Sequence, residues 1–87
     1  MLEIDAILSI YPDGKAEIES DDFGWGPWPV TLEEVSDAGF EITKTAMDSF
    51  LRVVVNQQYV AICFVRVAAV QREDGWPQFI SIVKRNR

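Results

Sequence analysis

Apolar and polar positions alternate from the first residues of the chain. Leu2, Ile4, Ala6, Leu8 and Ile10 share one face of an extended segment, and Glu3, Asp5, Ile7 and Ser9 share the other. A period of two is that of a half-buried strand. Tyr11-Pro12-Asp13-Gly14-Lys15 then reads as a turn, because proline presets φ, aspartate suits the next position and glycine accepts positive φ. Alternation resumes from Lys15 to Ser20, with Ala16 and Ile18 inward and Glu17 and Glu19 outward. Two alternating runs joined by such a turn predict a β-hairpin.

The stretch Asp21-Asp22-Phe23-Gly24-Trp25-Gly26-Pro27-Trp28-Pro29 has two glycines and two prolines, which break helix and sheet alike. It nevertheless carries three large aromatic residues. Thr31-Leu32-Glu33-Glu34 has the spacing of a capping box, which predicts a short helix with Leu32 and Val35 toward the core and Gly39 as its stop. A strand over 30–35 is the alternative. Phe40 to Thr43 alternates weakly, as a strand would. Residues 44–52 fit two patterns. Met47, Phe50, Leu51 and Val54 have helical spacing, with Thr45 and Asp48 as capping residues, whereas Val53-Val54-Val55 favours a pleated surface. A strand over 50–56 is the expectation.

After a short connection at 56–58, Tyr59 to Arg72 is the most apolar segment. Tyr59, Ala61, Cys63, Val65, Val67 and Ala69 fall on one face, and Val60, Ile62, Phe64, Arg66, Ala68 and Val70 on the other. A strand apolar on both faces calls for cover on both sides, by closure of the sheet or by a second copy in a homodimer. Glu73 to Pro77 is a further turn and Gln78 to Lys84 a last strand. The sum is one mostly β domain over 1–87, with α+β as the alternative. It is an antiparallel meander or small barrel-like sheet with one short helix near 31–38.

Composition narrows the chemistry more than the fold. With 87 residues, a chain buries only about 60–65% of its unfolded surface, so its stability margin is thin. There is no histidine, which removes the commonest general base and metal ligand. Cys63, the single cysteine, lies among apolar neighbours, where a thiol behaves as a small hydrophobe. The adjacent acids Asp21-Asp22, Glu33-Glu34 and Glu73-Asp74 lack metal-loop spacing, and Gly24-Trp25-Gly26 lacks the lysine of a phosphate loop. The expectation is therefore a protein that is not an enzyme and takes no cofactor or metal. The acids near the N-terminus, the lone cysteine and the lack of an apolar run near 20 residues point to the cytoplasm, that of the host if the protein is phage-encoded, and away from a membrane.

Ser36-Asp37-Ala38-Gly39 has a Ser-x-x-Gly spacing and is followed by the apolar stretch Phe40-Glu41-Ile42. Over this short stretch the chain resembles PilZ domains, small β-barrels that bind cyclic di-GMP, and the resemblance implies a ligand-binding barrel regulator. Glu34 stands where that family has Asp or Asn. The family's upstream arginine pair has no counterpart, Arg52 being the first arginine.

Charge gives the functional expectation. Residues 1–48 hold twelve acids and two bases, and residues 49–87 two acids and six bases, ending Lys84-Arg85-Asn86-Arg87. The acidic half repels nucleic acid and suits a basic protein surface. Glu17, Glu19, Asp21, Asp22, Phe23, Trp25, Trp28 and Trp76 are the candidate partner-binding residues: aromatic anchors with an acidic rim. The alternative is that the loop aromatics fold inward as a core plug. In size and charge alone the chain resembles small acidic phage proteins directed at host nucleases, anti-CRISPR proteins among them. The expected function is an inhibitor that occupies a basic, nucleic-acid-binding surface of its partner. An assembly subunit of a phage particle or oligomer is the alternative.

Overall fold

The computed structural model describes residues 1–20 and 24–85. In chain order its elements are β1 (Leu2–Ile10), β2 (Ala16–Ser20), β3 (Trp28–Val30), α1 (Leu32–Asp37), α2 (Lys44–Ser49), β4 (Leu51–Val55), β5 (Gln58–Gln71) and β6 (Pro77–Lys84). All strand pairings are antiparallel. The fold is mostly β, and the sheet is open rather than closed into a barrel.

The order β3-β2-β1-β5-β4 centres on β5. One of its edges takes β1, from Leu2 opposite Ala69 to Ile10 opposite Ala61. The other edge is divided. β4 pairs with its first part, Val55 opposite Gln58 to Leu51 opposite Ile62, and β6 with its second part, Gln71 opposite Pro77 to Val65 opposite Lys84. This division explains the length of β5, whose 14 residues serve three partners.

The inward residues predicted from alternation form the core. Ile4, Ala6, Leu8 and Ile10 meet Ala16 and Ile18 from β2 and Ala61, Cys63, Val65, Val67 and Ala69 from β5. Val35, Ala38, Phe40, Phe50 and Ile82 cover that face. Tyr59, expected on the same face, is exposed because it lies beyond the end of β1.

Helix α1 starts at the predicted capping box. Thr31 Oγ1 accepts from the Glu34 N–H at 3.0 Å, and Glu34 Oε1 accepts from the Thr31 N–H at 3.1 Å. It ends in a Schellman turn: the Gly39 N–H donates to the Ser36 carbonyl and the Phe40 N–H to the Val35 carbonyl, with Gly39 at φ +91°. The Ser-x-x-Gly spacing behind the PilZ resemblance is therefore this helix stop, and the barrel it implied is not formed.

Elsewhere the chain departs from its local pattern. Trp28–Val30 is a strand despite Pro29, which the ladder tolerates because β3 is a three-residue edge strand. Phe40 to Thr43 is irregular and not a strand. Phe40 instead turns into the core against Phe50, ring centroids 6.0 Å apart. Lys44–Ser49 is helical and Leu51–Val55 extended, so the two periodicities read in this region each hold over half of it. The connection between β4 and β5 is a two-residue turn with positive φ at both Asn56 and Gln57, the geometry that matches strand twist.

Candidate binding surface: a tryptophan cluster and an acidic sheet face

Two features of the chain bring the tryptophans together. The first is the register of β3, which sets Trp28 opposite Ile18 and thus on the core side of the sheet. The second is the β5–β6 turn, tied by Arg72 N–H to the Trp76 carbonyl and by Asp74 Oδ1 accepting from the Trp76 N–H. Trp28 and Trp76 meet edge-to-face with centroids 4.9 Å apart. Trp25 lies 5.7 Å from Trp28 and 6.1 Å from Phe79. Aromatic pairs of this kind contribute about 0.5–1.5 kcal/mol beyond burial.

Trp25 and Trp28 are half-buried, whereas Trp76 keeps 44% of its surface exposed. Trp25 packs against the core cluster, and Trp76 is exposed. Trp25 and Trp28 also line a cleft of about 460 Å³ with Met1, Leu2, Val70 and Pro77. Gly26 sets the loop's approach to β2. Its φ is +92°, and a Cβ there would lie 2.7 Å from the Ile18 carbonyl oxygen. The neighbouring Ser20 N–H donates to the Trp25 carbonyl at 2.7 Å.

Glu17 and Glu19 do not join this cluster. They oppose Ser9 and Ile7 across β1, on the other face of the sheet. Glu3 and Asp5 share that face, as the hairpin reading required. Asp21, Asp22 and Phe23 lie outside the described residues. The eight candidate residues therefore fall into two groups on opposite faces, apart from those three.

The acidic face is partly compensated. Asp5 pairs with Arg66 at 2.9 Å and with Arg85 at 3.3 Å. Arg85 also lies 5.4 Å from the centre of the Phe64 ring, and its N–H donates to the Phe64 carbonyl at 2.8 Å. The basic C-terminal run thus contributes Arg85 to the sheet. Glu17 accepts from the Tyr11 hydroxyl. That bond, then burial, then the charges of Glu17 and Glu19 push the Tyr11 pKa up to about 12. Glu3 stays exposed on this face, and Glu33, Glu34 and Asp37 are exposed on α1.

Cys63 is buried on the core face, its thiol donating weakly to the Phe64 carbonyl at 3.6 Å. Burial pushes the thiol pKa up, against a smaller opposing pull from Lys84. Among the described residues, no three His, Cys, Asp or Glu side chains are grouped to hold a metal ion. Among the described residues, no helix is long and apolar enough to cross a membrane. No protein-family model matches the chain, and neither a curated protein nor a solved structure matches it at a significant level.

Proposed function

We propose that this protein is a non-catalytic binding module that occupies a basic surface of a protein partner, with the tryptophan cluster as its apolar anchor. The observation that carries this reading is the convergence of Trp25 from the β2–β3 loop, Trp28 from β3 and Trp76 from the β5–β6 turn, beside one open cleft. A purely structural plug has no need of a tryptophan that remains 44% exposed. Aromatic residues at the centre of a polar rim are the usual source of interface affinity.

The acids supply the steering. From Trp28 the chain runs through β3 into the exposed Glu33, Glu34 and Asp37. A net charge of −6 favours approach to a basic patch and opposes direct contact with nucleic acid. Where the basic patch is itself a nucleic-acid site, module and nucleic acid compete, and the module is an inhibitor. This is the mode expected of the small acidic phage proteins that the chain resembles in size and charge.

The test is capture by the tagged protein from cell lysate, followed by challenge with salt and with duplex DNA or RNA. The reading predicts capture of a nucleic-acid-handling protein, released as the Debye length falls from about 8 Å toward 3 Å and displaced by the competing duplex. Capture indifferent to both challenges would contradict it.

A further inference from the structure

The sheet has three edge strands, and two of them are protected in the ways natural proteins use. β3 has three residues and contains Pro29. β6 carries a bulge opposite Ala68/Ala69, and the Ile82 N–H on its outer side donates to the Ala38 carbonyl at 3.0 Å. β4 has none of these devices. Leu51-Arg52-Val53-Val54-Val55 is regular, free of proline and largely exposed on both faces. Its single charged side chain, Arg52, donates to the Met47 and Phe50 carbonyls of its own chain.

The turn fixes which backbone groups of β4 are on offer. A two-residue hairpin makes its closing pair, Val55 and Gln58, a hydrogen-bonded pair. Alternation along the ladder then commits Leu51, Val53 and Val55 to β5 and directs the N–H and C=O groups of Arg52 and Val54 outward. Among the described residues, no backbone group meets them on that side.

We propose that the β4 edge is the site at which a second copy of this chain pairs, antiparallel, about a two-fold axis at Val53. The occupant follows from the register. Centred on Val53, Arg52 of one copy opposes Val54 of the other, so the two outward-facing residues of each strand are both satisfied. Leu51, Val53 and Val55 then join their counterparts beside Val60 and Ile62 in one continuous apolar band on the sheet. The arm also exposes Leu51, Val54, Val55 and Tyr59 by 40–70% each. Leu51, Val54 and Val55 lie on the pairing strand itself, where a copy docked along this edge covers them directly, and Tyr59 lies one strand behind on β5. From Leu51 to Tyr59 the one charged residue is Arg52, and in this register the Arg52 side chains of the two copies are offset by two residues rather than opposed.

Two experiments on the full chain test the proposal. The first is the mass in solution by light scattering from micromolar to millimolar concentration. The expected result is about twice the 9.9 kDa chain mass, returning to the monomer value in Val54→Lys and Val54→Pro. Both variants block the outward edge and leave the β4–β5 ladder intact. Unchanged tryptophan fluorescence shows that each remains folded.

The second experiment is mild oxidation of Val53→Cys and, separately, Val54→Cys. In the proposed register the two Val53 positions form a non-hydrogen-bonded pair about 4.5 Å apart at Cα, within disulfide range. The two Val54 positions are offset by two residues and lie beyond it. At least tenfold more cross-linked dimer from Val53→Cys is expected. A wild type that is monomeric throughout, a dimer that survives both Val54 substitutions, or equal cross-linking at the two sites would overturn the proposal.

Discussion

Replacing Gly26 by alanine separates two physical costs that Gly24 carries only in part. Both glycines have positive φ, +64° at Gly24 and +92° at Gly26. A side chain pays about 1–2 kcal/mol for such a conformation, of which lower unfolded-state entropy offsets about 0.4–1 kcal/mol. At Gly24 nothing lies within 4 Å of the new Cβ, so Gly24→Ala costs about 1 kcal/mol or less. At Gly26 the Cβ meets the Ile18 carbonyl at 2.7 Å and Glu19 Cα at 3.2 Å, both backbone atoms of β2. The loop must lift. Lifting weakens the Ser20–Trp25 backbone bond, worth about 1 kcal/mol. It also disturbs the Trp25–Trp28 and Trp25–Phe79 contacts, worth about 0.5–1.5 kcal/mol each.

The difference between the two variants is thus about 2 kcal/mol or more. At about 2.1 cal/mol/K per residue, 87 residues give an unfolding entropy near 0.18 kcal/mol/K. Gly26→Ala should therefore melt about 10 °C below Gly24→Ala. Thermal and urea unfolding followed by tryptophan fluorescence measures this directly, with a blunted native emission shift expected in Gly26→Ala alone. Equal melting temperatures would refute the close packing of the loop on β2.

Three further outcomes follow from the same geometry. Thr31→Ala removes one arm of the capping box and should destabilise the protein by about 1 kcal/mol, read as a drop of about 5 °C in melting temperature. Tyr11→Phe loses the hydroxyl bond to Glu17. Because the folded pKa of Tyr11 is raised from 10.0 to about 12, this contribution is fully present below pH 10 and is lost as pH rises through 12. Stability differences between wild type and Tyr11→Phe should follow that window, and an absorbance titration should show a late-ionising phenol that the variant lacks. Asp5→Asn leaves Arg66 and Arg85 without their shared carboxylate. A loss near 1 kcal/mol in urea unfolding at low salt, shrinking in 1 M salt, is expected for a pair of this exposure.

The parts of the fold that local patterning carries were legible in the sequence. The β1–β2 hairpin needs only two alternating runs and Pro12-Asp13-Gly14, and α1 only the Thr31/Glu34 pair and Gly39. What escaped depends on pairing between distant segments. The doubly apolar run at 59–70 read as a strand calling for closure or a second subunit. The sheet does not close: β5 has one face on the core and, within the chain, the other partly covered by Arg85, which reaches Phe64 and Asp5. The outward direction of Glu17 and Glu19 was legible from alternation. That Trp28 takes the opposite face was not, since it depends on the register of Trp28 against Ile18. Trp76 was recognisable only as a turn aromatic able to join the patch, and its contact with Trp28 depends on the β5–β6 turn.

The anchor claim is tested most directly by calorimetric titration of the captured partner with wild type and with Trp76→Ala. The exposed position of Trp76 lets urea unfolding verify that the variant's stability is retained. The account predicts at least a tenfold loss of affinity for Trp76→Ala, with the remaining binding still weakened by salt. Equal affinities for the two proteins would contradict it, and the tryptophan cluster would then serve only the packing of the fold.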